Sequence, residues 1–482
     1  MKIIRIFFIF FFLYSCQFQD KKQVPEKAES PGNTEISDPI ERDLPQIREE
    51  GTLRAITVYS ATSYFLYRGQ PMGFEYELLE RLAKHLGLEL KIVVARDMDD
   101  VLNMLNRGEG DIVAYGLAIT EPRKKKVSFT EYHTISHQVL VQKKPDNWRQ
   151  MKLHEIKRAM IDDAIELIGD TVWVRKNSSY HERLINLIQE IGDTIYIDTL
   201  PGNMDTEEII HMVSEGKIKY TVADYNMAAV SSNYFQNLDI HVPISLSQRL
   251  AWAVRKNSPE LLSAVNEWIH RIKKTNDYYV IYNKYFESKH SFKTRSKSEF
   301  FSKKTGKISQ YDDLIKKYAA SLDWDWRLLS SLIFQESRFD PKTKSWAGAH
   351  GLMQLMPATA RQMGIRNTAN PEENIKGGTK YLKLMTKNWT EIPDSVQRIK
   401  FVMASYNCGY NHVVDAQNLA QKNGKDGNVW DKNTEKFILK LSYRKYFNDE
   451  VVKYGYVRGT EPYNYVREIF RRYELYKDII PE

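Results

Sequence analysis

Cysteine is nearly missing from this chain: Cys16 and Cys408 are the only two in 482 residues. A disulfide would have to recruit Cys16 from the extreme N-terminus, so none is expected. Cys408 lacks a motif histidine and reads as a small packed residue rather than a nucleophile. After the first residues no apolar run is long enough to cross a membrane as a helix. No glycine-rich phosphate loop, paired-cysteine motif or Ser/His/Asp set stands out, and no cofactor is implied. His133 and His137 have no adjacent carboxylate, so they read as surface or packing histidines rather than metal ligands. The excess of one sign of charge over the other is also small. The net charge is +8, modest for this length. The basic run from Lys289 to Lys307 reads as a solvated linker, and no nucleic-acid partner is expected because no reading module accompanies it.

What is present begins with Lys2 and Arg5 ahead of an apolar run, Ile6 to Leu13, that ends in Leu13-Tyr14-Ser15-Cys16. This pattern reads as a signal peptide over 1–16. Its end resembles a bacterial lipoprotein box with Cys16 as the acylated residue, although Tyr14 departs from the small or aliphatic residue usual there. The alternative is an ordinary signal peptide cleaved nearby. The resemblance implies a cell-envelope protein facing the periplasm, held to the outer membrane through a lipid anchor. Residues 17–47 are polar and proline-containing and read as a flexible tether.

From residue 48 the pattern becomes α/β. Leu53 to Tyr59 and the alternating Leu88, Leu90, Ile92 and Val94 read as strands, as does Asp111 to Tyr115. The stripe in Phe74 to Leu86, closed by Gly87, reads as a helix. A shorter helix carries Val101, Leu102 and Leu105. This order predicts a mostly parallel sheet with ligands beyond the carboxyl ends of its strands. Gly73-Phe74-Glu75-Tyr76-Glu77-Leu78-Leu79, Met104 to Asp111, and Leu117 to Arg123 followed by Val127-Ser128-Phe129-Thr130 resemble the family 3 periplasmic solute-binding proteins. The resemblance implies a two-lobed α/β domain over 48–288, with lobe 1 at about 48–142 and 243–288 and lobe 2 at about 145–240. It also implies a small ligand, an amino acid or a muropeptide. Arg123 stands where the family clamps an α-carboxylate, and a guanidinium fork suits that group. Asp224 stands where it would meet the ligand ammonium. The plainer readings are a surface Arg in a basic run and a helix N-cap.

After the linker, 289–308, residues 309–482 read as successive helices: Tyr311 to Ala320, Asp323 to Ser337, Ala358 to Met363, Pro371 to Met385, Ser395 to Tyr406 and Tyr463 to Tyr473. In the second of these, Trp326, Leu329, Ile333 and Glu336 fall on one stripe if Asp323 caps it. A carboxyl at the end of an apolar stripe is partly withdrawn from water, which raises its pKa toward the range of a general acid. An exposed Glu paired with Arg338 is the plainer reading.

Glu336-Ser337, Gly351-Leu352-Met353-Gln354-Leu355-Met356-Pro357, Ala404-Ser405-Tyr406-Asn407-Cys408-Gly409 and Glu461-Pro462-Tyr463-Asn464-Tyr465-Val466 occur in this order. Together they resemble the family 1, SLT-type lytic transglycosylases. That resemblance implies a mostly α, goose-lysozyme-like domain that cleaves the MurNAc-β-1,4-GlcNAc bond of peptidoglycan without water. Glu336 would be acid and then base. Ser337, Gln354, Met353, Tyr406 and Asn407 would contact substrate, and Tyr465 would bond Glu336. Pro462 departs from the family's usual Thr. A water-using muramidase and a ligand-sensing lipoprotein with an inactive wall-docking domain are the alternatives.

Overall fold

The computed structural model describes residues 38–288 and 306–480. The signal-peptide reading, Cys16, most of the tether and most of the linker lie outside the described residues. Twelve strands, β1–β12, are described, all before the linker. The first sheet has the order β4 (Glu89–Ala95), β1 (Thr52–Val58), β5 (Ile112–Ala118), β12 (Gln248–Val254), β6 (Ser128–Ser136). β1 runs parallel to β4 and β5, and β12 is antiparallel to both of its neighbours. The helix Phe74–Leu86 packs beside it and ends on Gly87 in the left-handed region, at φ 71°. The second sheet has the order β11 (Leu238–Asp239), β7 (Gln138–Lys143), β10 (Tyr220–Asp224), β8 (Thr171–Arg175), β9 (Tyr196–Leu200).

Two expected boundaries move. The first crossing between lobes falls at His137, between β6 and β7, rather than near residue 142, because β7 pairs with β10 of the second sheet. The tether also stops short of Ile47. Leu44 and Ile47, three apart, bury one face of a helix Leu44–Glu50 that Asp43 caps. Asp43 additionally accepts from the backbone N–H groups of Glu260 and Leu261, at 2.9 and 2.8 Å. One carboxylate thus serves the open N-termini of two helices.

The remaining two strands, β2 (Phe65–Tyr67) and β3 (Gln70–Met72), form a hairpin that leaves lobe 1 and enters the helical domain. Leu66 has no exposed surface and joins the core around Leu329, Ile333 and Trp389. At the hairpin tip, the Gly69 carbonyl accepts from Tyr476 Oη at 2.7 Å. Gly69 has φ +71°, and a Cβ there would lie 2.6 Å from the Phe339 ring. Only glycine fits that approach without a shift.

After the linker, no strand occurs among the described residues. The helices Asp312–Ala319, Trp326–Ser337, Pro371–Thr386, Ser395–Cys408, Tyr410–Lys422 and Thr460–Ile479 surround one apolar core. The linker ends before Ile308 rather than at it, since Ile308 is fully buried in that core. The cap of the helix Trp326–Ser337 is Asp325, not Asp323. Asp325 accepts from Arg327 N–H, whereas Asp323 takes φ 57° and closes the preceding turn. The helices Tyr410–Lys422 and Glu435–Lys440 were not anticipated.

Leu66 belongs by sequence to the α/β half and by packing to the helical half. Leu66→Ala should therefore cost about 2–5 kcal/mol and accelerate amide hydrogen exchange in the helix Trp326–Ser337. Unchanged exchange there would mean that the hairpin is not part of the helical core.

Candidate active site and ligand cleft

The helix Trp326–Ser337 presents Glu336 from its last turn. Ile333 and Leu329, one and two turns before it, are fully buried, and Glu336 is half-buried at the edge of the same stripe. Burial is the main force on its carboxyl and pushes its pKa up to about 7. Two neighbours on the helix Thr460–Ile479 adjust this. The hydroxyl of Tyr465, which is buried, donates to Glu336 Oε1 and favours the carboxylate. Glu461 adds a like charge that opposes ionisation. Glu461 and Tyr465 are four residues apart, hence on one helix face. The motif containing both was legible, but no role had been assigned to Glu461. Tyr465 is held in place by the packing of its helix, whose Arg472 guanidinium lies 4.4 Å from the Phe334 ring centroid.

Directly after Glu336 the backbone is strained. Arg338 and Phe339 have φ 52° and 62°, and Gln354 has φ 46°. Non-glycine residues in this region cost on the order of 1–3 kcal/mol each, and such residues gather at functional sites. They turn the chain so that the Gly351-Leu352-Met353-Gln354 turn lies against the end of the helix. The Ser337 hydroxyl is buried and reaches the Leu352 carbonyl at 2.8 Å, so it joins the helix to that turn. Met353 is fully buried in the core, and its carbonyl accepts from Tyr406 Oη at 2.6 Å. Gln354 Nε2 donates to the Thr343 and Gly351 carbonyls at 2.9 and 2.8 Å.

A fully buried Asn374, which no motif had flagged, holds the turn from behind. Its Oδ1 accepts from Met353 N–H at 2.7 Å and its Nδ2 donates to His350 and Thr368 carbonyls. Asn407 Oδ1 is buried and has no hydrogen-bond partner among the described residues. The structure thus pairs Glu336 with Tyr465 by a hydrogen bond, ties Ser337, Met353, Gln354 and Tyr406 to the adjoining turn by others, and brings Tyr406 close enough to act electrostatically on Glu336 and Tyr465, with Asn407 next to Tyr406 in sequence. Of these, Ser337 and Met353 spend their polar or apolar groups on the protein itself. Burial raises the Cys408 thiol to about 12, which keeps it protonated and a poor nucleophile.

The cleft between the two sheets gathers a second set. Asp224 ends β10 and, despite its position before the helix Tyr225–Tyr234, makes no side-chain cap bond. It accepts instead from Tyr180 Oη at 3.0 Å, and burial raises its pKa to about 6. Arg123 donates to the Ala118 carbonyl at 3.1 Å, and it acts electrostatically on Asp224 together with Arg175. Arg175 Nε and Asp224 Oδ1 are buried without partners among the described residues. Arg175 and Tyr180 were not anticipated, although Arg175 ends a strand at the edge of the cleft, where ligand groups are expected. The lobes touch where the Glu207 carboxylate accepts from Ala61 N–H, at 2.9 and 3.1 Å. His133 stacks on Phe74 and bonds Glu75, and His137 stacks on Tyr225. Both are packing residues.

Fold and site together define a protein with a two-lobed solute-binding domain in front of a helical glycan-cleaving one. Residues 56–288 match the model of the bacterial extracellular solute-binding proteins, family 3, and residues 313–429 match the transglycosylase SLT domain. Relatives from several bacteria carry the name membrane-bound lytic murein transglycosylase F. The protein from Desulfosudis oleivorans is 34% identical over 436 residues, covering 90% of this chain and 92% of that one. Those from Pseudomonas fluorescens and Vibrio cholerae are each 31% identical, over 90% of this chain and 86% and 80% of theirs. The chain belongs to the membrane-bound lytic murein transglycosylase F family.

The Glu336 carboxyl should titrate near 7, as followed by carbon NMR of labelled glutamate. Tyr465→Phe removes the donor that favours the carboxylate and should move the titration upward, while Glu461→Gln removes a like charge and should move it downward. Shifts of the opposite sign would refute this account of the site.

Proposed function

We infer that the chain is a peptidoglycan lytic transglycosylase in which Glu336 performs both proton transfers. The observation that carries the reading is the Glu336 carboxyl, held near neutrality by burial and bonded to Tyr465. Protonated Glu336 donates to the oxygen joining MurNAc C1 to GlcNAc, and the C1–O bond breaks. The resulting carboxylate takes the proton of the MurNAc C6 hydroxyl as its oxygen bonds to C1. A 1,6-anhydro ring forms, no water is consumed, and Glu336 ends protonated, as it began. A group whose pKa matches the working pH can serve as acid and base in turn. In this reading Asn407 offers its free carbonyl oxygen to the substrate, Gln354 and Tyr406 line the groove, and Ser337 and the Met353 backbone hold the turn that shapes it.

The α/β domain takes a small ligand, an amino acid or a muropeptide stem, between its lobes. Arg123 and Arg175 meet its carboxylate, and Asp224 meets its ammonium group. Lobe closure around that ligand regulates cleavage, provided the ligand binds the two arrangements with different affinity. The helix Thr460–Ile479 offers a route. It carries Tyr465 at the active site, while its Leu475 packs into the lobe 1 core. The protein works in the cell envelope. Acylated Cys16 and the tether that follows it would hold it to the outer membrane and let it reach the wall.

Glu336→Gln should lower the release of anhydro-muropeptides from purified peptidoglycan by about 10²–10⁴-fold or more, measured by mass spectrometry, with the circular dichroism of the wild type. Glu461→Gln should still cleave, since Glu461 is not part of the proton relay. Retained activity in Glu336→Gln would overturn the assignment.

In the α/β domain, Arg123→Ala and Asp224→Ala should each abolish the calorimetric signal of an amino-acid or muropeptide ligand that the wild type binds. The same ligand should change the wild-type cleavage rate. Binding without any such change would refute the regulatory role.

A further inference from the structure

The chain has nine tryptophans, and eight of them are buried or half-buried. Trp346 is the exception, with 100% of its surface exposed. Leaving an indole wholly in water forgoes the largest apolar contribution a side chain can make, and a floppy surface loop would be the ordinary setting for it. Trp346 is instead at the tip of a pinned hairpin. Ser345 N–H donates to the Ala349 carbonyl at 2.9 Å, and Gly348 N–H donates to the Ser345 carbonyl at 3.0 Å. The Ser345 hydroxyl accepts from Ala349 N–H at 3.0 Å. Lys344 pairs with His350, and His350 with Leu355.

The base of this hairpin is hydrogen-bonded to the turn that adjoins the Glu336 helix. The Thr343 carbonyl accepts from Gly351 N–H and from Gln354 Nε2, while Asn374 Nδ2 fixes the His350 carbonyl. Gly351 has φ +86°, and a Cβ there would lie 2.2 Å from Asn374 Nδ2 and from the Thr368 carbonyl, so the hairpin cannot pivot freely at its base. From Thr343 to Trp346 is three residues, at most about 10 Å of chain. A rigid, wet indole is therefore held close to the turn that Ser337 joins to the end of the Glu336 helix, with the exposed Lys342 and Lys344 flanking it.

The apolar C–H face of a pyranose stacks well on the electron-rich face of an indole. The two lysines suit a polymer that carries carboxylates. We propose that Trp346 is a sugar platform that extends the Glu336 groove and stacks on a ring of the bound glycan strand, so that long strands are held more tightly than short fragments. This rests on the reading of the helical domain as a peptidoglycan-cleaving one. The platform acts by binding and takes no part in proton transfer.

The test uses the full chain solubilised in detergent, in the Glu336→Gln background so that strands stay intact. Co-sedimentation with insoluble peptidoglycan should be about tenfold weaker for Trp346→Ala and close to the parent for Trp346→Phe, with melting temperatures unchanged. With Glu336 restored, the Trp346→Ala defect should appear in KM rather than kcat and be larger on long strands than on short fragments. Equal binding by Trp346→Ala and its parent would overturn the proposal. So would equal losses in Trp346→Ala and Trp346→Phe, which would mark a structural role. Loss of binding to anionic phospholipid vesicles without loss on peptidoglycan would assign the indole to a membrane surface instead. Trp346-dependent binding in a protein that releases no anhydro products would leave the platform standing and remove the lytic reading. Normal release with Trp346-independent binding would do the reverse.

Discussion

A carboxyl group kept partly out of water is the constraint on which the rest of the helical domain depends. Burying a charged carboxylate is costly, so Glu336 is protonated at a pH where an exposed glutamate would be ionised. The apolar stripe of its own helix supplies the burial. Tyr465 limits it, because a hydroxyl that donates to the carboxylate keeps the ionised form accessible. The balance of the two holds the group near 7, where losing and regaining a proton cost about the same. Neither partner would suffice. Without burial the group would be a weak acid catalyst, and without the hydroxyl it would be a poor base.

Keeping that balance requires the second helix to be immobile, and the architecture achieves this by making one helix serve two cores. Thr460–Ile479 places Tyr465, Val466 and Ile469 in the core of the helical domain and Leu475 in that of lobe 1. The hairpin β2–β3 makes the reciprocal insertion, with Leu66 buried among helices and the Gly69 carbonyl bonded to Tyr476. A rearrangement of lobe 1 must therefore strain contacts that stand a few helical turns from Glu336. The left-handed residues Arg338 and Phe339 lie between the two, and Phe339 is the side chain that Gly69 abuts.

Much of this was legible in the sequence, for reasons that differ by element. Phe74–Leu86 was legible to the residue because a 3.6-residue apolar stripe ends on a glycine in the left-handed region. The position of Glu336 on its helix was legible because the same periodicity places it in line with Leu329 and Ile333. The helix cap was misplaced by two residues, since Asp323 and Asp325 are equally good caps locally and only the turn preceding the helix decides between them. The hairpin β2–β3 was invisible: its strands have three residues each, and Leu66 is buried by a domain more than two hundred residues away. The lobe boundary at His137 was missed for a similar reason, because β6 and β7 follow each other with only His137 between them and only their pairing partners separate them. Asn374 and Arg175 carried no motif. Their roles come from what folds against them.

In the proposed reaction one carboxyl, poised by burial, closes an internal ring where most glycosidases would admit water. Carrying out the cleavage in ¹⁸O-enriched water and weighing the released muropeptides tests this directly. The account predicts no ¹⁸O at the MurNAc terminus and a mass lower by one water than the hydrated product. Incorporation of ¹⁸O at C1 would contradict it and make Glu336 the acid of a hydrolase.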